Sequence, residues 1–130
     1  VLMGGDGWPS DKLIEMAKDA VEGSYFVNHL DFNDENVKEF TEAYKTKYNT
    51  NVELNGYMAY DAFELLEDAV NGAEKLDSQS VRDALETAKV QGITGQINIG
   101  KDTHKPEGKE AAIIKITDGN YEFQGRFKAD

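Results

Sequence analysis

The spacing of apolar residues switches between two periods along this chain, and the order of those switches constrains its fold more than any other feature. Val1 to Met3 is a short apolar run closed by glycines, the pattern of a buried strand ending in a loop. Pro9-Ser10-Asp11 then opens a helix whose Leu13, Ile14, Ala17, Ala20 and Val21 fall on one face, and Gly23 stops it. Ser24 to Leu30, centred on Tyr25, Phe26 and Val27, reads as the next strand. Strand, helix and strand with short joints predict a βαβ unit with parallel strands.

Asn33-Asp34 caps a second helix, with Val37, Phe40, Tyr44 and Tyr48 at helical spacing. The longest helix is predicted over Leu54 to Ala73, with Met58, Ala62, Leu65, Leu66, Ala69 and Val70 as its apolar stripe. Asp77 or Ser78 caps a short helix holding Val81, Ala84, Leu85 and Ala88. After Gly92 the period falls to two, and Ile93, Gly95, Ile97 and Ile99 alternate with polar residues as a half-buried strand does. Lys101 to Lys109 is a polar loop. Ala111 to Ile116, the turn Asp118-Gly119-Asn120 and Tyr121 to Phe127 predict a closing hairpin. The class is α/β, with parallel-sheet strands, flanking helices and a C-terminal hairpin.

The chain has 130 residues, the length of one domain or of a piece of a larger protein. Its 14 basic against 25 acidic residues give a net charge of −11, which disfavours nucleic acid and anionic membrane surfaces as partners. No cysteine is present, which excludes disulfides, zinc–thiolate sites and thiol nucleophiles. No apolar run reaches the length, about 18 residues, that spans a bilayer. Val1-Leu2-Met3-Gly4-Gly5 lacks the charged start of a signal peptide and reads as a strand met in mid-course, as in a fragment or processed chain.

Several motifs look like sites and fail their context tests. Gly95 to Lys101 fits most of a phosphate-binding loop, but Asp102 stands where a Ser or Thr would hold magnesium, and no helix follows. Asp31, Asn33, Glu35 and Glu42 take the calcium-loop positions one, three, five and twelve, yet Asn36 replaces the glycine of the sharp turn. A capped acidic helix start explains that stretch better. His29 and His104 have no partner at a zinc-ligand spacing. His29, just after a strand, could line a cleft, but the plainer reading is a structural or surface residue. No serine sits in a nucleophile-elbow context. No metal or other cofactor is predicted, and no enzyme site is visible.

Gly4-Gly5-Asp6-Gly7-Trp8 is the segment most open to a functional reading. Ligands of open α/β sheets bind beyond the carboxyl ends of strands, and glycines let backbone approach them closely. Asp6 would meet a cation there and Trp8 would wall a pocket. The plainer alternative is a tight turn, with Asp6 as a local cap and Trp8 packed in the core.

The chain resembles the type I periplasmic solute-binding proteins of the leucine/isoleucine/valine group, which serve ABC importers. Five stretches carry the likeness. They are Met3 to Trp8; Ala17-Lys18-Asp19-Ala20-Val21-Glu22-Gly23, with Lys18 where the family pattern has Gly; Phe40-Thr41-Glu42-Ala43-Tyr44-Lys45; Tyr60-Asp61-Ala62; and Gly92-Ile93-Thr94-Gly95. Together they extend over nearly all of the chain and match the last third of such proteins.

The resemblance implies a partial periplasmic-binding-protein-like type I fold. Residues 1–50 and 111–130 would be part of the C-terminal lobe and residues 53–100 part of the N-terminal lobe. Such proteins close two lobes over a ligand. Asp6 would then receive the α-ammonium of the ligand, a branched-chain or other aliphatic amino acid or a related small amide. Gly5, Gly7 and Trp8 would shape the wall, with Trp8 favouring a larger side chain, and Tyr57 would line the cleft from the other lobe. The residues that hold the ligand's carboxylate belong to a part of the first lobe outside this sequence.

The implied role is non-enzymatic capture outside the cytoplasm, periplasmic or at the cell surface, with delivery to an ABC permease in the membrane. A ligand-sensing domain of a receptor or regulator has the same fold, and a small α/β enzyme using Asp6 as base or nucleophile is a third reading. Parts of two lobes would leave apolar faces and edge strands open, so dimerisation or segment exchange is expected.

Overall fold

The computed structural model describes residues 1–128, apart from the side chain of Asp11. In chain order its elements are β1 (Met3–Gly4), α1 (Asp11–Ala17), a 3-10 turn (Lys18–Val21), β2 (Tyr25–Asn28), α2 (Glu35–Tyr48), α3 (Leu54–Gly72), α4 (Ser78–Leu85), β3 (Lys89–Gly92), β4 (Gly95–Asn98), β5 (Ala111–Thr117) and β6 (Asn120–Phe127). The chain divides into two compact units. One holds Val1–Leu54 and the chain from Glu110; the other is Asn55–Lys109.

The first unit is built on a four-stranded sheet in the order β1-β2-β5-β6. The βαβ expectation holds: β1 and β2 are parallel, with Gly4 opposite Phe26. β5 then pairs antiparallel with β2, and β6 with β5, so the sheet is mixed. Val21, Phe26, Ala112, Ile114 and Ile116 form the buried core, and Trp8, Leu13, Ile14, Ala17, Tyr121 and Phe123 pack against it. β5 supplies the core by strict alternation, burying Ala112, Ile114 and Ile116 in turn. Asp118 and Gly119 make a two-residue hairpin turn with φ of 51° and 68°, the left-handed pair that an Asp-Gly loop adopts most easily. Glu22 accepts from both of their N–H groups, at 2.9 and 3.3 Å, and ties this turn to the end of the 3-10 segment.

Three expectations change here. The first strand is Met3–Gly4 rather than Val1–Met3, and it is not buried: Met3 is 81% exposed, because β1 is an edge strand. The first helix is α for only seven residues and finishes as the 3-10 turn. The cause is Lys18, whose φ of 46° breaks the α-helical path.

α1 begins with Ser10, whose Oγ accepts from the Leu13 N–H at 3.1 Å. Tyr121 clamps the same residue, donating its hydroxyl to Ser10 O at 2.9 Å and accepting from Ser10 N. α2 starts after Asp34, which holds Arg126 of β6 at 2.7 Å.

In the second unit, α3 matches its predicted range to within a residue. Its buried positions are Tyr57, Asp61 and Ala69, whereas Met58, Leu66 and Val70 of the predicted stripe are exposed. Hydropathy predicts that stripe, but of it only Ala69 is buried, and the covered face carries the Asp61 carboxylate as well. α4 is capped by Asp77, whose carboxylate accepts from Ser80 N at 2.8 Å; that hydrogen bond holds its carboxyl below the usual range.

The single strand expected after Gly92 is the second arm of a hairpin. β3 (Lys89–Gly92) precedes it, Gly92 pairs with Gly95, and Ile93-Thr94 forms the turn. The Gly95 to Lys101 stretch is therefore strand β4 and a following turn, not a phosphate-binding loop.

Candidate ligand-binding site

In the first unit, β1 and β2 run side by side and end at the same edge of the sheet. The chain leaving β1 turns at once. Trp8 N–H donates to Gly5 O at 3.2 Å, so Asp6 and Gly7 are the two central residues of a tight turn. The chain leaving β2 continues through Asn28 to His29. The imidazole of His29 crosses to this turn, with Nε2 2.9 Å from Asp6 Oδ2. The Asp6 side chain is 59% exposed and that of His29 32%, so the pair faces solvent.

Each glycine of the loop has its own explanation. A Cβ on Gly4 would run into the Trp8 indole, so packing requires a glycine there. Gly5 and Gly7 differ. A Cβ at either would meet nothing within 4 Å, and neither has a positive φ. The described residues give no reason for glycine at these two positions, and the backbone beside Asp6 is open to close approach.

Trp8 itself is half-buried, with its ring 6.4 Å from that of Phe26. It joins the loop to the core, as the plainer alternative had it. Asn28 fixes the start of the His29 segment: its Oδ1 accepts from His29 N–H at 2.9 Å. Its Nδ2 is buried with no hydrogen-bond partner among the described residues. An unmet buried donor costs about 1–3 kcal/mol, a cost that a position selected for packing alone would avoid.

Gly5, Asp6, Gly7 and Trp8 are thus gathered in one loop, with His29 added. Tyr57 belongs to the second unit, on the first turns of α3, where it is buried. His29 was legible only as a histidine after a strand. Its partner sits 23 residues away and becomes visible once the two strands are placed in parallel.

The second unit contains a polar cluster that spacing did not reveal. Asp61, 2% exposed, accepts from Ile93 N at 2.6 Å, Thr94 N at 2.9 Å and Thr94 Oγ1 at 2.5 Å. Lys109 Nζ donates to the same Thr94 hydroxyl, and burial pushes its ammonium below the ordinary lysine range while Asp61 opposes that shift. A Cβ at Gly92 would lie 2.5 Å from Asp61 Cγ. Two stretches of the family likeness, Tyr60-Asp61-Ala62 and Gly92-Ile93-Thr94-Gly95, are therefore two halves of one contact.

The calcium-like stretch is an Asx turn ahead of α2, in which Asp31 accepts from Asn33 N at 2.8 Å; the expected cap is not made, because the Asp34 carboxylate bonds no helix N–H and holds Arg126 instead. His104 is exposed, with Nε2 3.5 Å from Glu86 Oε1. Among the described residues, no group of three or more His, Cys, Asp or Glu side chains is placed to hold a metal ion. No helix among them is long and apolar enough to cross a membrane.

Comparison with known proteins agrees with this architecture. No curated protein matches the chain in sequence. Among solved structures, a leucine-binding protein, LivK, from Thermotoga maritima is 28% identical with a TM-score of 0.77, over 95% of this chain and 36% of its own. The branched-chain amino acid transporter substrate-binding protein LivJ from Streptococcus pneumoniae, solved in complex with isoleucine, is 26% identical with a TM-score of 0.79, over 98% of this chain and 37% of its own. A putative branched-chain amino acid ABC transporter from Rhodospirillum rubrum is 26% identical with a TM-score of 0.78, over 94% and 36%. The chain thus spans a little over a third of the length of these relatives. A family model described as periplasmic binding protein matches residues 1–120. Matched over almost its whole length, and sharing its fold with solved substrate-binding proteins of ABC transporters, this chain belongs to the periplasmic binding protein family.

Proposed function

We propose that this chain contributes to the substrate-binding component of an ABC importer and that Asp6 receives the ammonium group of an amino acid. The observation that carries this reading is the loop after β1. It presents an exposed carboxylate beside two glycines that nothing in the described chain requires. A carboxylate so placed takes a cationic partner, and a charge-assisted hydrogen bond to it is worth about 1.5–3 kcal/mol. Relatives named for leucine binding or solved with isoleucine support a branched-chain or other aliphatic amino acid as the ligand class.

In this reading the first unit is part of the C-terminal lobe and the second unit part of the N-terminal lobe, and Tyr57 is the second unit's contribution to ligand contact. The role is binding and delivery to a membrane permease, outside the cytoplasm, without turnover. The test is calorimetric titration of L-leucine and L-isoleucine into the protein encoded by the full reading frame that contains this chain. Asp6→Ala is expected to weaken binding roughly ten- to hundred-fold. Wild-type affinity in that variant would overturn the assignment.

A further inference from the structure

We infer that His29 sets the charge that Asp6 presents to a cationic ligand, so that a proton on its imidazole and the ligand's ammonium compete for one carboxylate. This rests on the reading of Asp6 as the ammonium acceptor and adds to it a residue that governs when that acceptor is available. The geometry is direct: Nε2 of His29 lies 2.9 Å from Asp6 Oδ2 across the ends of two neighbouring parallel strands. Asn28, buried at the end of β2, takes the His29 N–H on its Oδ1 and fixes where the imidazole segment begins. The pair is exposed enough for a ligand to reach it.

With a neutral imidazole the pair carries one negative charge, and an arriving ammonium neutralises it. With an imidazolium the pair is already neutral, and the ammonium meets a second cation on the same carboxylate. The charged residues closest to His29 in sequence and strand register are Asp31, Glu110 and Arg126. Asp31, two residues on, accepts from Asn33 N. Glu110 stands just ahead of β5, the strand that pairs with β2. Arg126, opposite Ala112 on the next strand out, is held by Asp34 at 2.7 Å. The side chain that the structure places on Asp6 is His29, and histidine as a residue type is the one whose charge responds to pH near neutrality.

The sign follows from linkage. Protonation opposes ligand binding, so affinity falls as pH falls, and bound ligand must in turn oppose protonation. The experiment titrates L-leucine into the protein from the full reading frame between pH 8 and pH 5. The dissociation constant of the wild type is expected to rise roughly ten-fold over this range. His29→Gln keeps a side-chain donor but cannot titrate, and should change less than two-fold.

An NMR titration of the His29 imidazole tests the same point without a variant, since saturating L-leucine should move its midpoint to lower pH. Superimposable pH profiles for wild type and His29→Gln, or a midpoint that ignores leucine, would overturn the inference while leaving Asp6 in place. Unchanged leucine affinity in Asp6→Ala would instead remove the reading on which it stands.

Discussion

Asp61 stands on α3 with apolar residues on either side in sequence, and a carboxylate buried there without partners would be strongly unfavourable. It has three: two backbone N–H groups and a hydroxyl, all from the Ile93-Thr94 turn. Removing the carboxylate would leave those donors unmet in a buried setting. Asp61→Ala is therefore expected to destabilise the protein by about 3 kcal/mol. Chemical denaturation checks this, and a loss below about 1 kcal/mol would show that water replaces the carboxylate without difficulty. The sequence displayed Asp61 and Thr94 as two short family-like stretches. It did not display their contact, because a hydrogen bond across 33 residues leaves no periodic signal.

At the scale of elements, the informative joint is the end of α1. The family pattern has a glycine where this chain has Lys18, and the backbone there takes φ 46° and ψ −127°, a conformation in which a Cβ is crowded. An exposed side chain does not relieve that strain, so the departure at Lys18 carries a backbone cost. Lys18→Gly is expected to stabilise the protein by about 1 kcal/mol, the relief exceeding the extra chain entropy that glycine brings. A thermal melt shows it as a raised Tm, and a lowered Tm would mean that the lysine stem contributes packing that outweighs the strain. The other elements follow from local chemistry. Ser10 and Asp77 cap their helices, and Asp-Gly at 118–119 makes the hairpin turn that its dihedral preferences favour. The β3–β4 hairpin is the exception. Its turn residues, Ile93 and Thr94, have no turn preference, and Asp61 holds them.

Over the whole molecule, each unit has its own sheet or hairpin, and the chain passes from the first unit to the second and back. Large apolar side chains stay exposed in the chain as it stands, among them Phe63 and Leu66 on α3, Leu76 after it, and Leu2, Met3 and Phe127 at the sheet edges. Surfaces of this kind associate. The isolated 130-residue chain is expected to show a light-scattering mass well above its 14.5 kDa at high micromolar concentration. A monodisperse monomer under those conditions would contradict this.

The succession of elements, apart from β3 and the 3-10 turn, is legible in the chain's own apolar spacing. Apolar period, caps and turn residues act over a few positions, and they located α2, α3, α4, the closing hairpin and the parallel pairing of the first two strands, although Asp34 makes no side-chain cap bond and α4 ends at Leu85, short of the expected Ala88. Which faces are covered and which polar groups meet depends on the packed fold. Asp6 finds His29 because two strands lie in parallel register, and Asp61 finds Thr94 because a helix lies against a hairpin turn. Burial and hydrogen bonding of that kind depend on neighbours distant in the chain, and they place a carboxylate where hydropathy alone would have placed a leucine.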